Sequence, residues 1–209
     1  MLLSQRVIHK VASLSDSDRK LCFVIDDSML QRNKGKEVEL MARIYDHVSK
    51  SFVKGFNLLH LGWTDGVSIF PVNSALMSSS KYENRYAEAN ELKANARTCG
   101  GKRIAEAVIS KTKVAIDMLK QTLSSGINAD YVLMDTWFTT DPFIQKINAL
   151  GLDVMGMVKQ LCQRYEYNGR LLNLRKLFSG NSQQKAWRHH LFYHSKNEER
   201  NNLQNCFYT

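Results

Sequence analysis

Two short apolar runs, far apart in the chain, each finish on acid. The first is Leu21-Cys22-Phe23-Val24-Ile25-Asp26-Asp27-Ser28 and the second Tyr131-Val132-Leu133-Met134-Asp135-Thr136. Runs of this length, rich in β-branched and aromatic residues, read as strands buried on both faces. An ionised carboxylate is unfavourable in an apolar setting unless it finds a partner or a cation. Each strand is therefore expected to deliver its acid to a site at the sheet edge. Two strands that each deliver an aspartate suggest a site for a hard divalent cation.

The 209 residues, 44% hydrophobic, suffice for one domain of ordinary size with a real core. Lys+Arg outnumber Asp+Glu by 29 to 20, a formal charge of +9. That excess favours a polyanionic partner, nucleic acid first, although many basic proteins bind nothing charged. Cys22, Cys99, Cys162 and Cys206 show no paired spacing, so neither disulfides nor a thiolate metal site is indicated. The N-terminus turns polar too early for a secretory signal, and no apolar run is long enough to span a bilayer. A cytoplasmic protein without a membrane partner is expected.

Residues 1–20 read as a short amphipathic helix and a polar turn, or equally as the tail of a preceding domain. Gln31-Arg32-Asn33-Lys34-Gly35-Lys36 is basic and turn-forming, and it reads either as a phosphate contact or as a solvated loop. Phe56 to Trp63 and Val67 to Val72 flank Thr64-Asp65-Gly66, a hairpin signal because glycine accepts the positive φ of a tight turn. His60, in mid-strand, reads as a structural histidine. Asn73 to Arg97 reads as a long exposed connection in which Tyr82 and Tyr86 interleave with Lys81 and Arg85. A helical pattern then runs from Lys102 to Gly126, and Asp141-Pro142 opens a helix ending at Gly151. Asp153 to Val158 is a further strand. Strand, strand, strand, helix, strand, helix, strand makes an α/β fold: a mixed five-stranded sheet flanked by helices over residues 21–178. Residues 179–209 carry no period. His190 and His194, with Cys206 as a remote third ligand, give a weak metal signal there.

Val24-Ile25-Asp26-Asp27-Ser28 and Val132-Leu133-Met134-Asp135-Thr136-Trp137-Phe138-Thr139 resemble the motifs of DDE transposases of bacterial insertion sequences, in the group called IS-four-like. Lys54-Gly55-Phe56, Leu61 to Gly66 and Phe70-Pro71-Val72 share the likeness, which covers about Leu21 to Phe178. The resemblance implies a ribonuclease-H-like fold in which the first and fourth strands lie side by side. It also implies two Mg²⁺ ions held by Asp, Asp and Glu for cleavage and transfer of DNA strands. Asp26, with Asp27 as the alternative, and Asp135 match the two aspartates. Lys34, Lys36, Arg43 and Lys54 are the expected DNA contacts. Trp137 and Phe138 would either stack on an unpaired base or anchor the next helix.

The family's glutamate has no counterpart on a suitable helix. Glu166 lies in what reads as a hairpin, and Glu198 and Glu199 in the unpatterned stretch. The expectation is a catalytic domain incomplete at its C-terminus, truncated and inactive, without the family's N-terminal DNA-binding region. Its partners would be DNA and a full-length transposase or a second copy of itself. Two alternatives stay open. One is a non-catalytic DNA-binding or inhibitory remnant. The other is a stand-alone Mg²⁺-dependent nuclease using Glu166 or Asp27 as third acid.

Overall fold

A computed structural model of the chain describes residues 2–14, 18–36, 38–86, 95–157, 164–167, 170–173, 176 and 192–195. The chain forms two compact units, Met1–Ala129 and Asp130–Thr209.

The first unit is built on a long strand, β3 (Ser51–Thr64). β1 (Cys22–Gln31) pairs antiparallel with it along Gly55 to Thr64. β4 (Ile69–Met77) takes the other edge over Asn57 to Thr64, and β2 (Ala42–Asp46) pairs with Ser51 to Gly55. The β3–β4 hairpin turns where its sequence indicates. Gly66 has φ +87, and the Asp65 carboxylate accepts from the N–H groups of Val67 and Ser68. Pro71 sits at a register shift opposite Gly62, a place where a missing N–H breaks no regular ladder.

One face of this sheet is the core. Phe23 and Ile25 of β1 and Leu59, Leu61 and Trp63 of β3 are buried there. α3 (Lys111–Ser124) packs on β3 and β4 and buries Val114, Ala115, Met118 and Leu119. Val114, Met118 and Leu119 each contribute about 1.5–3 kcal/mol by leaving water. The Trp63 indole N–H, which cannot be buried unpaired, donates to the Asn128 carbonyl at 3.1 Å. α1 (Leu2–Ala12) buries Ile8 and packs on β4, and Gln5 donates to the Ser125 carbonyl.

The single helical pattern expected over 102–126 is two helices, α2 (Cys99–Ala107) and α3. Ser110, extended at φ −62 and ψ 137, breaks the run as the cap of α3, while both helices keep one apolar stripe. Residues 87–94 of the preceding connection lie outside the described residues.

The count of five strands is also corrected. β2 gives little sequence signal, being five residues between charged turns, although Ala42, Ile44 and Asp46 alternate inward with period two.

In the second unit, β5 (Tyr131–Met134) and β6 (Asp153–Met157) pair in parallel across α4 (Asp141–Asn148), which opens with Pro142. β9 (Phe192–Ser195) joins β6 antiparallel, a strand inside the stretch read as without period. β7 (Arg164–Tyr167) and β8 (Arg170–Asn173) form the hairpin expected around Glu166. Strands of both senses flanked by helices make the mixed α/β class expected from the sequence. Among the described residues no helix is long and apolar enough to cross a membrane.

Asp46 closes the β2–β3 turn. Its carboxylate accepts from the Ser49 hydroxyl at 2.7 Å and the Val48 N–H at 2.9 Å, and these bonds hold its pKa below the ordinary 3.8. A depressed carboxylate adds stability above its unfolded pKa, and that stability is lost as pH falls through the folded value. Asp46→Asn, which mimics the protonated form, should therefore lower Tm at pH 7. The gap should close only below pH 3.8, as thermal melts across that range would show.

Candidate metal centre

The first acid-bearing strand does not stop at its acids. β1 continues to Gln31, held to β3 throughout, so Asp26 and Asp27 lie in mid-strand rather than at a tip. Neighbouring strand residues project to opposite faces. Asp27 shares the face of buried Phe23 and Ile25, whereas Asp26 shares the open face with Val24 and Ser28.

The two carboxylates consequently have different surroundings. Asp27 is ion-paired with Lys111 at the start of α3, both side chains 20% exposed. Asp26 is exposed, and its only described contact is a long one, from the Ser28 hydroxyl at 3.5 Å to Oδ2. His60 stands directly opposite Asp26 on β3 and is half-buried. The local sequence marks neither Lys111 nor His60 as a neighbour of the acids; His60 follows from the β1–β3 register. Lys111 is 84 residues from Asp27 and leaves no local signal.

Asp135 does stand at a strand end, one residue past β5. Its Oδ1 accepts from the N–H groups of Trp137 at 2.9 Å and Phe138 at 3.3 Å, which fixes the carboxylate against its own loop. The Thr139 hydroxyl donates to the Asp135 carbonyl at 2.7 Å. Gly156 of β6 makes room for this loop, since a Cβ there would lie 2.8 Å from Thr139 Oγ1 and 3.1 Å from the Met134 carbonyl oxygen. Phe138 is fully buried against Phe143 of α4 and is the anchor of that helix. Trp137, edge-on to Phe138, stays 43% exposed.

Of the expected DNA contacts, Lys34 and Lys36 are exposed in the turn after β1. Arg43 and Lys54 face each other across the β2–β3 ladder. Glu166 lies in β7, and Glu198, Glu199, His190 and Cys206 fall outside the described residues. His194 belongs to β9.

The donor chemistry suits a hard divalent cation in kind. Asp26 and Asp135 are carboxylates, and among the described residues Asp26 Oδ1 and Asp135 Oδ2 accept no hydrogen bond. Among the described residues, however, no three His, Cys, Asp or Glu side chains gather as a complete cation cage.

A family model for DDE superfamily endonucleases matches residues 2–167. The chain belongs to the DDE superfamily. Nucleases of this superfamily generally use divalent metal ions. No curated protein matches the chain. Among solved structures it is similar to the piggyBac transposase synaptic complex with hairpin DNA, at 15% identity and a TM-score of 0.39. That match covers 83% of this chain, which spans only 30% of the length of the other.

The Asp27–Lys111 pair predicts a coupling. Removing Lys111 alone leaves a largely buried charge unpaired, so Lys111→Met should destabilise more than the double variant with Asp27→Asn. A double-mutant cycle by urea denaturation should return an interaction of about 1–2 kcal/mol.

Proposed function

We propose that the chain is a catalytic-domain part of a DDE transposase of the bacterial insertion-sequence type, acting on DNA in the cytoplasm. Asp26 and Asp135 are its first two metal ligands. The observation that carries this reading is the contrast between the neighbouring acids of β1. Lys111 already neutralises Asp27, while Asp26 stands open to solvent beside Ser28. A carboxylate committed to an ammonium competes poorly for a cation, so Asp26 takes the role that the doublet left undecided.

Bound Mg²⁺ would supply what such sites need, an activated attacking oxygen and a stabilised leaving oxygen on the DNA strand. The protein's own part is to hold the carboxylates in place. Asp26 is fixed by a continuous ladder, and Asp135 by two N–H donors that leave its second oxygen available. The positive charge of the chain and the exposed Lys34, Lys36 and Arg43 favour DNA as the polyanion.

Two acids bind a cation weakly and do not complete a two-ion site. The third acid would come from another transposase copy. Taken alone, the chain is accordingly inactive.

Calorimetric titration with Mn²⁺ should detect weak binding that Asp26→Asn and Asp135→Asn each abolish and that Asp27→Asn preserves. Supercoiled plasmid incubated with the protein and Mg²⁺ should remain unnicked. Nicking that disappears in Asp135→Ala would instead establish a stand-alone nuclease. Mn²⁺ binding indifferent to both Asp26 and Asp135 would remove the metal assignment.

A further inference from the structure

The open face of the first unit's sheet carries aromatic rings and cations in a pattern that solvation alone does not explain. On β2 and β3, Arg43 lies opposite Lys54 and Tyr45 opposite Phe52, a block of four side chains on one face. The Arg43 guanidinium sits 4.1 Å from the centroid of the Phe52 ring, and Tyr45 meets Phe52 edge-on at 5.2 Å.

A second segment lies along β2. The Tyr86 N–H donates to the Met41 carbonyl at 3.0 Å, and Arg85 forms a bridge with Ala42. This places the Tyr86 ring 4.6 Å from Lys54 Nζ, while Arg85 lies 5.5 Å from the Tyr82 ring. The Arg43–Phe52 and Lys54–Tyr86 pairs thus share this face, whereas Arg85, opposite the buried Ala42, starts from the other one.

Two further observations point to a ligand. The rings are open to water: Phe52 is 57% exposed, Tyr82 52%, Tyr45 42% and Tyr86 38%. Among the described residues neither Arg43 nor Lys54 has an acidic partner, although Glu83 is exposed in the same short turn as Tyr82. The nearest acid in the ladder, Asp46, is turned into its own loop and does not compete.

We propose that this strip binds unpaired DNA, with Arg43 and Lys54 on the phosphates and Phe52 and Tyr86 stacking on bases. The proposal rests on the DNA reading above and deepens it. Rings serve single strands rather than duplex because only an unpaired base offers its face for stacking, and a ring with a cation on one side keeps the other for a base. A duplex would use the cations alone.

The test is fluorescence anisotropy in EDTA with a labelled oligo-dT and a labelled duplex of equal length. Phe52→Leu and Tyr86→Leu, which keep an apolar side chain and should melt as wild type, are expected to weaken oligo-dT binding about 5-fold or more. Duplex binding should change less than about 2-fold, because those rings have no face to stack on there. Arg43→Gln and Lys54→Gln should weaken both and each reduce the salt slope by about 1. Wild-type affinity for oligo-dT in both ring variants, or equal losses on the two DNAs, would overturn the strip while leaving the DNA reading intact. Failure of the wild type to bind either DNA would overturn both.

Discussion

Ten consecutive residues of β1, Cys22 to Gln31, are zipped to β3, and the placement of the first unit's chemistry follows from that ladder. A strand paired without interruption cannot rotate its side chains between faces. Phe23 and Ile25 are committed to the core, which commits Asp27 to the same side and Asp26 to the other. Gly55 marks where this order is tightest. It pairs with Gln31 on one edge and Ala42 on the other, and a Cβ there would run into the Leu30 carbonyl oxygen. Both edges of β3 are therefore drawn in at one residue, and the basic aromatic strip begins next to it at Lys54.

The second unit solves a similar problem by different means. Asp135 has no ladder to hold it, because β5 ends at Met134. Its position comes from a turn folded back on its own carboxylate, with Phe138 sunk into the core as ballast and Gly156 clearing space beneath. One acid is held by sheet and the other by loop. The loop acid spends one oxygen on its own support, whereas the sheet acid keeps both nearly free.

Much of this was readable in the sequence, for identifiable reasons. The β3–β4 hairpin announced itself through Asp65-Gly66, α4 through Asp141-Pro142, and β5 and β6 through dense apolar runs. These are local signals, and local physics produces the elements. What escaped depends on partners distant in the chain. The apolar run of β1 looked finished at Ser28 because polar residues follow, yet the pairing with β3 carries the strand on to Gln31. The break between α2 and α3 hides behind a common apolar stripe. Which of two adjacent aspartates is free depends on a lysine 84 residues away. The motif therefore leaves open which of the two is the candidate ligand.

The Asp26-Asp27 doublet has one further consequence. Insertion or deletion of a single residue ahead of β1 that slid the strand by one place would exchange the faces of its whole length. Most strands would then present a hydrophobe where an acid had stood. Here the slip would bring the second carboxylate to the outer surface in place of the first, while stranding an ammonium and exposing two core rings or branches. The duplicated acid tolerates a frame error chemically; the surrounding architecture does not.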